Sequence, residues 1–364
     1  MRVVFAPDKF AGTLTAVEAA TAMATGWARR APGDELVQVP MSDGGPGFVD
    51  VLHVALGGDL HAVTVTGPLG EPTPAAVLQV GDTAYVESAQ AVGLHLADPA
   101  DRDPEHAHTC GLGELLEQAL ATGARRIVIG LGGSGTNDGG AGMLAALGAT
   151  AEGGSLDEGP TGLAQLTAVD LAHVRERFAG VDLVMASDVD NPLLGINGAT
   201  KIYGPQKGLP DERLVVVDGW LQRFAEVADR KLAAQKGAGA AGGLGFGLML
   251  LGAGRTPGVA LVSEAVGLAD HLAGADLVVT GEGAFDFSSR SGKVPYGVAE
   301  VAGRTLVPCI ALAGQVLIGS REMRALGVES AYSVVDLVGE ERALGAPAEA
   351  LASLAERTAR TWSR

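Results

Sequence analysis

Short apolar runs, each followed by a longer helical stretch, constrain this chain more than any other feature. Runs at Val3-Val4-Phe5-Ala6, 36–39, 125–130, 182–186, 275–280, 306–312 and 331–335 show little polar alternation. Strands of that kind are buried on both faces. Between them fall helical patterns at 16–30, 111–123, 138–147, 211–234, 258–273, 294–303, 320–326 and 346–361. Thr15 and Glu18 have the spacing of a capping box at the start of the first helix. Such alternation predicts an α/β chain with mainly parallel sheets. One block differs. Residues 61–66, 76–80 and 83–87, joined by Gly/Pro turns, read as antiparallel strands.

At 364 residues the chain is long enough for two domains. The first and last strands both look like buried parallel strands. This places residues 1–90 with 287–364 in one discontinuous α/β domain and 91–286 in a second α/β domain carrying the glycine-rich loops. Apolar residues make up 47% and charged residues 19%, which excludes disorder as the main state. Aromatics are only 4% while glycine numbers 54, so the core must come from Ala, Val, Leu and Ile with backbones in close approach.

The charge excludes another class. With 26 basic against 43 acidic side chains the formal net charge is −17, and no Lys/Arg run exceeds two. Such a surface repels nucleic-acid phosphates. Cys110 and Cys309 form no disulfide framework or CxxC site, which fits a cytoplasmic protein. The N-terminal apolar run stops at Pro7-Asp8, too soon for a signal peptide. Residues 237–254 are 18 uncharged residues in a row, but eight are glycine. They read as a buried glycine-rich segment rather than a membrane span. The expected partner is a small molecule, with the chain a monomer or homodimer.

Five Gly- or Asp-rich segments lie at strand ends: 6–12, 41–45, 130–140, 186–192 and 280–283. In open α/β sheets ligands bind outside the carboxyl ends of strands. The segment Gly130-Leu-Gly-Gly-Ser-Gly-Thr-Asn-Asp-Gly-Gly140 is the strongest signal: a strand feeds a glycine run, and a helix is expected near Asp138. Glycines let backbone N–H groups converge on an oxyanion, and Ser134, Thr136 and Asn137 add side-chain donors. No GxxxxGK[ST] motif is present, so an ordinary P-loop kinase is excluded. Gly130/Gly132/Gly135 matches GxGxxG after a strand and keeps a dinucleotide-binding oxidoreductase open.

Asp188 and Asp190, two apart after the 182–186 strand, suit a Mg²⁺ site or a base beside a metal ligand. Asp43, Glu282 and Asp286 sit in similar places, and Lys9, Lys207 and Lys293 flank glycine or proline loops. An acidic set around an anion loop is what Mg²⁺-dependent phosphoryl transfer requires. His106, His108 and Cys110 alternate but lack an evident fourth zinc ligand. No GxSxG elbow supports a hydrolase triad.

Eight segments in order resemble the bacterial, non-P-loop glycerate kinase family over essentially the whole chain. They are APDKFAGTL (6–14), VPMSDGG (39–45), ESAQAVGL (87–94), GLGGSGTNDGGAGMLAALGA (130–149), SDVDNPLLGINGAT (187–200), YGPQKG (203–208), GAGAAGGLGFGL (237–248), and TGEGAFD (280–286) with SGKVPYGVA (291–299). Departures from the usual pattern fall at Lys9, Ala11, Pro46, Phe48, Ala284 and Ser288. The resemblance implies two α/β domains with a cleft between them, and ATP- and Mg²⁺-dependent phosphorylation of D-glycerate, with 2-phosphoglycerate the common product.

On that reading ATP phosphates rest on Gly132, Gly133, Ser134, Thr136, Asn137, Asp138 and Gly139. Asp190 takes the hydroxyl proton. Asp188 orients it or, with Glu282, binds Mg²⁺. Asp43 and Glu282 complete the polar rim, and Lys207 and Lys293 neutralise the substrate carboxylate or the γ-phosphate. A non-catalytic binder of small acids is the other alternative.

Overall fold

The structure is a computed structural model and describes residues 1–10, 12–286 and 293–363. The departures at Ala11 and Ser288, and residues 291–292 of the SGKVPYGVA segment, lie outside the described residues. The chain divides into two compact units: Met1–Asp43, Asp50–Leu56 and Pro257–Arg364 form the first, Gly44–Val49 and Gly57–Thr256 the second.

The first unit holds a five-stranded, all-parallel sheet in the order Ser330–Ser333, Cys309–Ala313, Leu277–Thr280, Arg2–Phe5, Glu35–Gln38. Val4 pairs with Val278 on one side and Val37 on the other. Helix Ala16–Arg30 begins with the expected capping box, Thr15 and Glu18 satisfying each other's backbone N–H. It packs on helix Pro347–Trp362 so closely that a Cβ on Gly26 would stand 1.9 Å from the Ala352 carbonyl oxygen. Between helices and sheet lie Val3, Phe5, Met23, Trp27, Leu277, Val279, Ile310 and Leu351, all buried. Trp27 meets Phe5 edge-on at 5.8 Å and donates its indole N–H to Asp34 at 2.9 Å.

The second unit holds a six-stranded sheet in the order Gly254–Thr256, Asp182–Ala186, Arg126–Gly130, Thr83–Glu87, Pro72–Val80, Asp59–Thr66. The last three strands form the expected antiparallel meander; the others are parallel. Its core joins Val77, Val86, Leu112, Ile127, Met143 and Met185 with an edge-to-face pair, Phe224 and Phe246, at 5.4 Å.

The unit boundaries differ from those expected at 90 and 286. Strand Thr83–Glu87 hydrogen-bonds to Arg126–Gly130, which draws the meander into the second unit. Strand Leu277–Thr280 pairs with Arg2–Phe5, which puts it in the first. Both pairings join residues far apart in sequence, beyond the reach of local pattern.

Two expected helices are broken. The 211–234 stretch ends its main helix, Leu214–Ala228, at Asp229, which caps a separate turn, Arg230–Ala233. The 258–273 stretch divides at Gly267, whose φ is 66°. Helix Phe48–Leu56 was not expected, since it follows directly on a glycine-rich turn.

The uncharged segment 237–254 forms helix Ala240–Leu250, with Ala241, Gly242 and Gly243 at positive φ. A Cβ on Gly242 would lie 1.9 Å from the Thr136 carbonyl oxygen, so glycine is required for this helix to lie against the 130–140 loop. Among the described residues no helix is long and apolar enough to cross a membrane.

Candidate active site

Counted within the first unit, its strands stand in the order 2-1-3-4-5. Chain direction across the sheet reverses between Arg2–Phe5 and Leu277–Thr280, and a crevice at such a switch point is where open α/β sheets bind ligands. The second unit adds its strands one after another across the sheet and has no such reversal.

Backbone pairing continues past the strand ends at the switch point. Ala6 N–H donates to the Val279 carbonyl and Asp8 N–H to Gly281, both at 2.8 Å; the Thr280 hydroxyl donates to the Ala6 carbonyl at 2.9 Å. Met41 N–H reaches the Pro7 carbonyl at 2.9 Å. These bonds bring three loops to one edge and set Asp8, Lys9, Asp43 and Glu282 there. Lys9 Nζ lies 3.6 Å from Asp8 and 3.5 Å from Asp43. Lys293 Nζ lies 3.7 Å from Glu282 and 3.8 Å from Asp286. Four carboxylates thus face two ammonium groups.

Asp8 is only 6% exposed. Burial pushes its carboxyl up to about 7, against the opposing pull of Lys9. Burial works against the Lys9 ammonium too, but Asp8 and Asp43 outweigh it and raise its pKa. Asp8 sits in the APDKFAG stretch that the sequence singles out, yet nothing local marks it above other acidic loop residues. Its burial comes from the neighbouring strand.

In the second unit, strand Arg126–Gly130 leads into the 131–140 loop as expected. Helix Ala141–Ala146 begins three residues later than predicted. Asp138 is fully buried and accepts four hydrogen bonds: from the Thr109 N–H and hydroxyl and from the N–H groups of Gly140 and Gly142, at 2.8–3.1 Å. Burial raises its pKa and these donors oppose the rise.

A carboxylate of the chain itself therefore occupies the N-terminal turn of this helix, where a dinucleotide pyrophosphate would sit. That removes the main support for the oxidoreductase alternative. Further N–H groups of the loop are also used, Gly135 toward Val92 and Gly139 toward Gly242. Gly133 is exposed and Gly132 half-buried, whereas Ser134, Thr136, Asn137 and Gly139 are buried. Asn137 donates to the Thr200 hydroxyl at 3.0 Å.

Lys207 is 2% exposed, and its ammonium holds the Ser134 hydroxyl at 2.8 Å and the Thr136 carbonyl at 2.5 Å. Burial pulls its pKa down to about 7, with Asp138 opposing. It clamps the loop from within. Asp190 faces solvent at 57% side-chain exposure and bonds Lys236 at 3.0 Å and Arg255 at 2.6 Å. The Lys236 and Arg255 bonds hold its carboxyl below the usual range. A carboxylate so stabilised in its charged form is a weak proton acceptor, so the arrangement does not suit the role expected for Asp190. Asp188 is half-buried beside it.

Comparison with known proteins places these features in one family. A family model described as the glycerate kinase family matches residues 3–363. A glycerate kinase of Bacillus subtilis (strain 168) is 42% identical, with 92% of this chain and 90% of that protein covered. A glycerate 2-kinase of Escherichia coli (strain K12) is 41% identical, covering 93% and 92%. A crystal structure described as glycerate kinase 2 from Salmonella typhimurium LT2 superimposes with a TM-score of 0.82 at 38% identity, over 99% of this chain and 98% of that one.

Proposed function

The chain belongs to the glycerate kinase family, and on that premise we propose that it transfers the γ-phosphoryl group of ATP to D-glycerate, giving 2-phosphoglycerate and ADP. The observation that carries the reading is the charged cluster at the switch point of the first unit. Phosphoryl transfer needs little covalent chemistry from the protein; it needs cations for phosphate oxygens and an acceptor for the hydroxyl proton. We assign the first to Lys9 and Lys293, whose ion pairs to Asp8 and Glu282 keep two ammonium groups in the cluster.

We assign the second to Asp8 in place of Asp190. It is buried at the end of a central strand, and its pKa of about 7 suits a group that must gain and lose a proton near neutrality. As the hydroxyl gives its proton to Asp8, its oxygen forms the bond to the γ-phosphorus while the bond to the β-bridging oxygen breaks.

Among the described residues no three His, Cys, Asp or Glu side chains gather to hold a metal ion unaided. Mg²⁺ in phosphoryl-transfer enzymes needs only one or two carboxylates, the phosphates and water supplying the rest. The excess of carboxylate over ammonium at Glu282 and Asp286 fits a divalent cation arriving with the nucleotide. When bound, Mg²⁺ neutralises charge on the β- and γ-phosphate oxygens.

In the second unit we keep Gly132 and Gly133 as candidates for an anion contact and Asp188 as a candidate metal ligand of that unit. Ser134, Thr136, Asn137, Asp138, Gly139 and Lys207 shape the loop that presents those glycines. Both cysteines are free thiols pushed up to about 12 by burial.

The test is ADP release with ATP, Mg²⁺ and a panel of D-glycerate, L-glycerate, glycerol, lactate and tartronate, followed by phosphorus NMR of the product. Turnover with D-glycerate and a phosphorus signal coupled to a single carbon-bound proton support 2-phosphorylation. A signal coupled to two such protons places the phosphate on the 3-position. No turnover by a folded protein refutes the reading.

A further inference from the structure

Lysines and carboxylates account for the phosphates but leave the nucleotide ring without a place. We infer that the adenine ring of ATP lies in an apolar cavity of the first unit walled by Phe10, Leu14, Ala284, Val334, Ala343 and Leu351. The inference rests on the proposed use of ATP.

Position is the first argument. Besides the helical residues between Glu340 and Leu351, the cavity is lined by the loop after Arg2–Phe5 (Phe10, Thr13, Leu14), the loop after Leu277–Thr280 (Gly283, Ala284), Gly314 and Gln315 after Cys309–Ala313, and Val334 after Ser330–Ser333. Every one of these strand-following segments leaves the carboxyl edge of the parallel sheet, the edge that carries the switch-point cluster. Phe10 directly follows Lys9, and Gly283 directly follows Glu282. The apolar wall and the charged cluster are therefore successive residues of the same two loops. A nucleotide has the same arrangement, a flat apolar ring at one end and phosphates at the other.

Size and chemistry are the second. The cavity holds about 280 Å³, close to the lower end of the few hundred Å³ usual for ligand pockets. Phe10, Leu14, Val334, Ala343 and Leu351 are each at most 8% exposed, so this part of the wall is set by the packed core, while Glu340 and Leu344 of the same lining are exposed. The chain's own packing leaves this apolar space open, and a planar ring would supply the missing contacts. Among the described lining residues Phe10 is the one aromatic side chain, a surface on which a base can stack. Gln315, also in the lining, carries an amide donor and an amide acceptor, the pair that the N6 and N1 edge of adenine requires.

The test fills the space without substituting any residue of the charged cluster. Ala343→Phe, on helix Glu340–Gly345, and Ala284→Leu each add bulk to the wall. Each variant should weaken ATP binding, measured by calorimetry, at least tenfold and raise KM for ATP to match. KM for D-glycerate should stay within twofold. Inorganic triphosphate, which has no ring, should compete against ATP in the wild type and keep its own affinity in both variants.

Folded variants that bind ATP as the wild type does would overturn the assignment. So would an equal loss for ATP and triphosphate, which would place the effect on the phosphates. Irradiation of the wild-type chain with 8-azido-ATP needs no variant. Adducts on Phe10, Thr13, Leu14 or residues 334–351 are expected, and adducts confined to other peptides would overturn the assignment. If the wild type binds no ATP, the kinase reading falls and the assignment with it; if it binds ATP but labels elsewhere, only the assignment falls.

Discussion

Replacing Asp8 by Asn asks whether the group placed at the switch point costs the fold stability. Burial holds its folded-state pKa at about 7 against an ordinary 3.8. One pKa unit corresponds to about 1.4 kcal/mol, so ionising Asp8 in the folded chain costs about 4 kcal/mol. The folded pKa lies above the unfolded one. The stabilising contribution is therefore full below about pH 4 and is lost as pH rises through about 7.

Asparagine has the same shape and never ionises. It also keeps an oxygen for the Lys9 N–H, which sits 2.7 Å from Asp8 Oδ1. Lys9 loses one of its two carboxylates, which offsets part of the gain, so Asp8→Asn should be about 2–4 kcal/mol more stable than wild type at pH 8 and near equal to it at pH 4. Lys9, Asp43 and Glu282 are the charged groups that act on Asp8. Groups outside that set cancel in the difference between the two proteins.

The assay is urea unfolding of both proteins at pH 4.5 and pH 8, read by intrinsic fluorescence, with turnover measured on the same samples. A general base contributes about 10²–10⁴-fold, so the variant should also lose at least about a hundredfold in kcat. An Asn variant less stable than wild type at pH 8 would mean that its partners hold Asp8 ionised as a structural anion. That result would refute both the sign and the catalytic assignment.

Other perturbations follow from the same geometry. Asp190→Asn removes an exposed carboxylate paired to Lys236 and Arg255, so stability should change by less than about 1 kcal/mol, and kcat should stay within about threefold. A hundredfold loss would return the proton-acceptor role to Asp190. Asp138→Ala strands four buried donors and should destabilise by about 3–5 kcal/mol in urea unfolding; a loss below 1 kcal/mol would show that the 131–140 loop does not depend on it. Lys207 has a folded pKa of about 7 against 10.5, so its contribution is full above about pH 10.5 and lost as pH falls through 7. The stability of wild type relative to Lys207→Met should therefore rise by about 3 kcal/mol between pH 6.5 and 9.5, and a flat difference would show that Lys207 stays charged in the fold.

The amino-acid sequence by itself determined the alternation of strand and helix, because buried parallel strands and amphipathic helices are written in spacings of a few residues. The capping box at Thr15 and Glu18, the strand at 126–130 and the glycine stretch after it are local facts of the same kind. The eight ordered segments that carry the family resemblance also needed no coordinates.

What the acidic side chains do was decided elsewhere. Asp8 and Asp190 both follow a strand, in loops of similar composition. Asp8 is buried because the loops after Leu277–Thr280 and Glu35–Gln38 close around it, whereas Asp190 is held in solvent by partners 46 and 65 positions along the chain. Asp138 reads as a ligand-side residue in sequence, yet its carboxylate is consumed by Thr109, 29 positions away, and by the first turn of the following helix. The switch point and the unit boundaries depend in the same way on which strand lies beside which. Burial and strand order are set by long-range pairing. Only the tertiary structure could therefore separate the carboxylate with a shifted pKa from the one tied in surface ion pairs and the one capping a helix.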